Sequence, residues 1–225
     1  MLERLVPDDV ACAETRAEEL DIELFDSERR SLGRAVRKRR LEFIAGRACA
    51  REALARLGAP VVAIPSGPQG EPLWPPGLVG SITHCLGYRA CAVARSDAVM
   101  SVGIDAEPNA PLPDGVLEAV ARGRELELVR GSPSATDHAR DVDVSRLLFS
   151  AKEAIYKAWF PLARRWLGFE DVELSVDLDA GAFEAAVLVP APTVRGTSLA
   201  FFRGRWAVED GIVCTAVVVP VPGSG

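Results

Sequence analysis

The sequence predicts an α+β protein built from two similar halves, each a helical pattern followed by strands. Three observations lead there. Residues Glu28 to Leu57 carry apolar side chains at roughly helical spacing (Ala35, Leu41, Ile44, Ala48, Ala53, Leu54, Leu57), and Gly58 and Pro60 stop the run. Three strand-like stretches follow, Leu78 to Thr83, Arg89 to Arg95 and Val99 to Ala106, closed by the cluster Pro108, Pro111 and Pro113. The order then recurs. Helical patterns over Asp114 to Val129 and Val144 to Leu167 precede strand patterns over Val172 to Leu178, Phe183 to Val189, Ser198 to Val208 and Ile212 to Val218. The expected division is residues 1–110 and 111–225.

Within the first helix Gly33 and Gly46 are costly, so each is expected to mark a break or a close approach. Ile64 to Gly77 is dense in proline and glycine and reads as a rigid loop. In the second half a polar stretch near Gly131 to Asp143 separates the helices. Val172-Glu-Leu-Ser-Val-Asp-Leu alternates as a half-buried strand does.

At 225 residues the chain can bury a sizeable core, and its 48% hydrophobic and 26% charged content is that of a globular enzyme. No apolar run reaches the ~20 residues that span a bilayer. The start, Met1 to Val10, lacks a basic segment followed by an apolar one, so no secretory leader and a cytoplasmic location are expected. Five cysteines without a Cys-x-x-Cys pair, and only two histidines, argue against a disulfide framework and a His/Cys metal site. The net charge of −6 argues against a nucleic-acid binder. Against that acidity, Arg29, Arg30, Arg34, Arg37, Lys38, Arg39, Arg40, Arg47, Arg51 and Arg56 are concentrated in one segment, which suggests a local anionic partner.

Four constellations carry chemistry. In Gly103-Ile104-Asp105-Ala106-Glu107-Pro108 the two acids lie two apart on a strand, so they share a face, and Pro108 ends the strand beside them. Two hard oxygen donors side by side suit Mg²⁺, although solvated charge explains such a pair on its own. In Phe149-Ser-Ala-Lys152-Glu153-Ala-Ile-Tyr-Lys157, Glu153 and Lys157 are helical neighbours. A plain surface pair would look the same. Yet Phe149, Ile155, Tyr156 and Trp159 make this helix apolar over much of its girth, and charges on a packed helix need partners. Gly80-Ser81-Ile82-Thr83-His84 offers hydroxyls and an imidazole to phosphate oxygens, where a structural histidine is the plain alternative. Arg39 and Arg47, eight apart, are close enough to two turns to share a face, and guanidinium matches phosphate bidentately.

Taken in order and spacing, Arg39 to Arg51, Gly70-Glu-Pro-Leu-Trp74-Pro, Gly80 to His84, Gly103 to Glu107 and Phe149 to Lys157 resemble the phosphopantetheinyl transferases. The likeness is to the monomeric, surfactin-type group, above all its siderophore-synthetase and actinobacterial branch, and spans roughly residues 28 to 170. It implies a pseudo-symmetric fold with coenzyme A in the cleft between the halves. It also implies transfer of the 4′-phosphopantetheine arm to a serine of an apo acyl or peptidyl carrier protein, releasing adenosine 3′,5′-bisphosphate. By resemblance, Asp105, Glu107 and Glu153 hold Mg²⁺ (or Mn²⁺), and a water takes the third position beside Ala106. Glu153 helps deprotonate the serine, and Lys157 neutralises phosphate oxygens with Lys152 beside it. Thr83 and His84 resemble contacts to the nucleotide phosphates, and Arg39 and Arg47 the grip on the phosphoadenosine end. Some relatives carry a lysine or arginine in the loop where this chain has Pro65-Ser66-Gly67-Pro68-Gln69-Gly70. Ser66 and Gln69 are the coenzyme A contacts that loop offers here, and the holder of the 3′-phosphate is left open. The partner implied is an acidic carrier steered by the Arg29 to Arg56 segment, the enzyme a monomer, and neither nucleic acid nor membrane is expected.

A coenzyme A- or nucleotide-binding regulatory module is the competing reading; it needs the arginines and His84 but neither Glu153 nor Lys157. An acyltransferase using the thioester end would need a reactive cysteine or histidine base, and no cysteine has an evident partner.

Overall fold

The computed structural model describes residues 1–132 and 142–223. Most of the polar stretch near Gly131 to Asp143 therefore lies outside the described residues. Strand β1 (Val10–Thr15) is followed by helices α1 (Asp26–Leu32) and α2 (Arg37–Arg56), then by β2 (Leu78–Cys85), β3 (Tyr88–Arg95) and β4 (Val99–Pro108). The rest runs α3 (Leu117–Val120), α4 (Arg124–Gly131), α5 (Val144–Ala163), β5 (Val172–Asp177), β6 (Ala182–Val187), the short pair β7 (Thr193–Val194) and β8 (Thr197–Ser198), β9 (Phe201–Glu209) and β10 (Ile212–Pro220).

The helix expected over Glu28 to Leu57 is two helices. Gly33 sits at φ 54°, a left-handed conformation that L side chains disfavour, and the chain turns there before α2 begins. Gly46 does not break α2; a Cβ there would stand 3.0 Å from an Ile82 methyl, so glycine lets the helix lie close to β2. Asp114 to Val129 likewise divides, into α3 and α4 around Gly123 at φ 47°. β1 was not expected at all.

β1, β3 and β2 form one antiparallel sheet in the order β1-β3-β2, and β4-β10-β9-β6-β5 form a second. Each carries one 20-residue helix. α2 lies on the first through Cys49, Ala50, Ala53 and Leu54 against Cys91 and Val93. α5 lies on the second through Leu147, Ala151, Ile155 and Trp159 against Val213, Val217, Phe183 and Phe202. Between the sheets Tyr88, Ala90 and Ala92 meet Val102, Ile104, Ala106, Cys214 and Ala216. The result is an α+β molecule layered helix, sheet, sheet, helix.

The division after residue 110 does not coincide with the sheet boundary. β4 precedes it, yet β4 is paired with β10, Asp105 opposite Thr215. The seam to the first sheet is made by side chains: Ser81 Oγ accepts from Ile104 N–H (3.1 Å) and Thr83 Oγ1 from Ala106 N–H (3.1 Å). Two edge-strand donors that would otherwise be buried without partners are thereby satisfied. On the other face, Gly103 lets α5 settle directly on the β4 backbone, where a Cβ would stand 1.9 Å from the Ala154 carbonyl oxygen. No described helix is long and apolar enough to cross a membrane. All five cysteines are free thiols.

Candidate active site

Alternation on β4 sends Val102, Ile104 and Ala106 toward the first sheet, and Gly103, Asp105 and Glu107 toward α5. Asp105, only 5% exposed, accepts from Lys157 Nζ (2.7 Å) and from the Thr83 hydroxyl (3.2 Å), both on Oδ1. Lys157 also donates to the Ile104 carbonyl (3.1 Å). Asp105 Oδ2 is buried with no partner among the described residues. Glu107 is paired with Arg146 (3.1 Å), which also holds the Ala110 and Pro111 carbonyls at 2.9 Å each. Burial, then the Asp105 charge, pushes the Glu107 carboxyl up to about 6 against the pull of Arg146. Glu153 is likewise raised, first by burial, with Asp105 adding and Lys157 opposing.

Glu153 and Lys157 line a cleft of about 410 Å³. Its walls are the loop from Gln69 to Trp74, the start of β2, Met100 and Ser101 of β4, and Tyr156, Phe160 and Arg164 on and after α5. The cleft therefore lies where the two halves meet, with an apolar lining and a carboxylate and an ammonium at one wall.

At the far end of β2, Arg39 donates to His84 Nε2 (3.1 Å), which makes that nitrogen the acceptor and the ring neutral. Burial, with the charges of Arg39, Lys157 and Arg89, keeps the imidazole pKa below its ordinary value against the pull of Glu42.

Residues 27–94 match the 4′-phosphopantetheinyl transferase N-terminal domain, and residues 101–208 match the 4′-phosphopantetheinyl transferase superfamily. The chain is 46% identical over 224 residues to the 4′-phosphopantetheinyl transferase PptT of Mycobacterium tuberculosis, covering 97% of this chain and 96% of that one. It is 51% identical over 199 residues to the transferase Svp of Streptomyces mobaraensis, covering 88% and 80%. Enterobactin synthase component D of Salmonella typhi is 34% identical over 128 residues, 56% of this chain and 50% of that one. The chain belongs to the 4′-phosphopantetheinyl transferases.

Of the residues expected to act in this transferase, the fold gathers Asp105, Glu107, Glu153 and Lys157 around the junction of β4 and α5, places Gln69 on the cleft wall, and pairs Arg39 with His84. One expectation needs correction, and the other residues have these surroundings. Lys152 does not face the cleft: it is 3% exposed and donates to Glu125 (2.9 Å) and to the Val120 and Phe169 carbonyls. Its helical neighbour Glu153 points about 100° away, which is why adjacency in sequence misleads. Thr83 is buried, its hydroxyl engaged by Asp105 and the Ala106 N–H. Arg47, 5% exposed, lies 4.0 Å from the Phe43 ring centroid and donates to the Ile64 carbonyl (2.6 Å) and Ser66 Oγ (3.2 Å). It shapes the loop, and Ser66 is the residue it holds. Gln69 meets Glu71 through its backbone N–H (2.9 Å).

Nor is the three-carboxylate metal site preassembled. Among the described residues no three acidic, histidine or cysteine side chains form a metal cage, and Asp105 and Glu107 are paired with Lys157 and Arg146. The donor chemistry nevertheless fits Mg²⁺, which takes few protein carboxylates and keeps waters and phosphate oxygens, and the orphaned Asp105 Oδ2 is a donor lacking a partner. Residues overlooked in the sequence are Arg146, Tyr156 and Phe160. Arg146 precedes Glu153 by seven positions, two turns of one helix face, and that spacing was the signal available.

Glu125 and Lys152 form the one ion pair whose two side chains are both almost wholly buried among the described residues, and Leu174 N–H (2.8 Å) and Arg122 N–H (3.0 Å) complete the carboxylate. Lys152→Met is expected to cost about 3–5 kcal/mol, because it leaves Glu125 a buried charge without its counter-ion. Denaturant unfolding checks this; a loss under about 1 kcal/mol would show that the pair contributes little.

Proposed function

We propose that this transferase takes the phosphopantetheine arm from coenzyme A and joins it to a serine hydroxyl of an apo acyl or peptidyl carrier protein, with Mg²⁺ or Mn²⁺ present. Family membership supports the group transferred and the kind of partner. The observation that carries the substrate assignment is the cleft, where an apolar wall of Leu73, Trp74, Tyr156 and Phe160 ends at Glu153 and Lys157. The arm is a flexible chain of methylene and dimethyl groups joined by two amides and ending in phosphate, and a mostly apolar cleft with polar groups at one end suits it.

In this reading the serine oxygen attacks the phosphorus next to the pantetheine arm, and the bond from that phosphorus to the bridging oxygen of the leaving adenosine 3′,5′-bisphosphate breaks. Serine is a weak nucleophile, and Glu153, on the cleft wall, accepts its proton, directly or through water. Lys157, oriented by Asp105 and the Ile104 carbonyl, presents its ammonium where charge grows on the phosphate oxygens. When bound, a divalent ion held by Asp105, Glu107 and Glu153 supplies further positive charge to the pyrophosphate.

For the carrier, the basic segment contributes less free charge than its composition suggests. Arg29, Arg37, Arg51 and Arg56 are already paired with carboxylates of this chain. Arg30, Arg34 and Arg40 are exposed without an ion pair among the described residues, and these are the cations we assign to steering an acidic carrier. The enzyme is read as a cytoplasmic monomer.

Intact mass of an apo carrier protein after incubation with the transferase, coenzyme A and Mg²⁺ tests the reaction. The expected result is a gain of one phosphopantetheine that disappears when EDTA is added. No gain across several carrier classes, with coenzyme A still bound, would replace the transferase by a binding module.

A further inference from the structure

Two cations sit on the carboxylates expected to hold the divalent ion, and they are held in different ways. Lys157 is an ammonium on a flexible stem, bonded to Asp105 (2.7 Å) and the Ile104 carbonyl (3.1 Å), and it can exchange one oxygen acceptor for another. Arg146 cannot. Its Nε donates to the Ala110 carbonyl and its Nη2 to the Pro111 carbonyl, 2.9 Å each, which leaves Nη1 for Glu107 Oε2 at 3.1 Å. A planar guanidinium fixed at three points keeps its charge in place. The backbone around it is tied down as well. Arg146 N–H donates to Asp143 Oδ1 (3.0 Å), Asp143 N–H to Asn109 Oδ1 (2.8 Å), and Asn109 N–H to the Gly211 carbonyl (2.8 Å). With side-chain exposures of 15% and 22%, the Arg146–Glu107 pair is shielded from much of the screening that weakens surface pairs.

The charges of the free site follow from these contacts. Asp105 is balanced by Lys157 and Glu107 by Arg146, while no ion pair among the described residues engages Glu153. Three carboxylates against two cations leave a single net negative charge, which is a weak attraction for a strongly hydrated divalent ion. Coenzyme A changes this at Asp105, because its pyrophosphate brings anionic oxygens to which Lys157 can turn. It changes nothing at Glu107, whose cation is anchored to main-chain carbonyls.

We infer that Arg146 makes metal binding conditional on coenzyme A: it is a fixed counter-ion that keeps Glu107 from drawing the divalent ion until the pyrophosphate adds its own negative charge. The inference rests on the metal reading proposed above. Arg146 acts through Glu107 and touches no reacting atom, so it is a positioning residue rather than a catalytic one.

The test is Mn²⁺ binding, read from the loss of the free-ion electron paramagnetic resonance signal, with and without coenzyme A. A protein-free titration subtracts the Mn²⁺ that coenzyme A binds alone. Wild type is expected to bind Mn²⁺ about tenfold or more tightly when coenzyme A is present. Arg146→Met removes the fixed charge and is expected to tighten Mn²⁺ binding to the coenzyme A-free protein about tenfold or more. Arg146→Lys keeps the charge and is expected to stay nearer wild type. Adding Glu107→Gln to Arg146→Met is expected to abolish the gain, because the two changes act on one pair. A merely structural Arg146 gives a different pattern: Mn²⁺ binding unchanged or weaker in Arg146→Met, with unfolding at a lower temperature, and this overturns the inference. A gain that survives Glu107→Gln overturns it too, as does wild type that binds Mn²⁺ equally well without coenzyme A. Should Arg146→Met not fold, Arg146→Gln, which keeps donors for a carbonyl, carries the same expectation. Failure of both to fold assigns Arg146 to the fold instead. Wild type that binds no Mn²⁺ even with coenzyme A is a separate outcome: it removes the metal reading itself, and this inference with it.

Discussion

Glu153→Gln is expected to lower carrier modification by about 10²–10⁴-fold while coenzyme A binding persists. The substitution keeps the size of the side chain and its place on the cleft wall, but an amide cannot take a proton from serine. Of the carboxylates expected at the site, Asp105 is paired with Lys157 and Glu107 with Arg146, whereas no ion pair among the described residues engages Glu153 on the cleft wall. Intact-mass kinetics give the rate and calorimetry the binding. Turnover near that of wild type would remove Glu153 from proton transfer, and loss of binding together with turnover would mean its chief role is to hold the metal and substrate.

Gly103→Ala is expected to be the most damaging single-methyl change in the molecule. A Cβ there would stand 1.9 Å from the Ala154 carbonyl oxygen and 2.6 Å from the Ala158 nitrogen. Both are helix backbone, so α5 would have to lift from β4 as a body. Overpacking of side chains costs about 1–3 kcal/mol, and backbone that cannot rotate away puts this case at about 3 kcal/mol or more. For a chain of this size that is a fall of roughly 6–12 °C in Tm. Transfer should be lost as well, because the Asp105–Lys157 contact of 2.7 Å crosses the same interface. Gly46→Ala is the control: its Cβ would meet only an Ile82 methyl, at 3.0 Å, which can shift. A Tm within a degree or two of wild type, with transfer intact, would show that α5 has room the structure does not display.

Glycines 46 and 33 illustrate how much could be read without coordinates. Both were visible as glycines in costly places, but only the fold separates a turn at positive φ from a close approach of helix to strand. β1 escaped notice because Val10-Ala-Cys-Ala-Glu-Thr is short and alanine-rich. Its partner strand β3 is some eighty residues away, so nothing local marks it. Arg39 and Arg47 seemed to share a helix face, yet eight residues leave about 80° between them. That angle separates a half-exposed guanidinium at His84 from a buried one under the loop.

By itself the sequence determined the α+β class, because periodicities of two and 3.6 operate within one element; its motifs, by resemblance, pointed to the family and nominated Asp105, Glu107, Glu153 and Lys157 as candidate site residues. Tertiary structure alone decided the partners: Lys157 with Asp105, Arg146 with Glu107, Lys152 turned inward to Glu125, and Arg89 without one for its Nε and Nη1 among the described residues. Periodicity assigns a side chain to a face. Which charge waits on the other side depends on how distant segments pack, and local sequence carries no record of that distance.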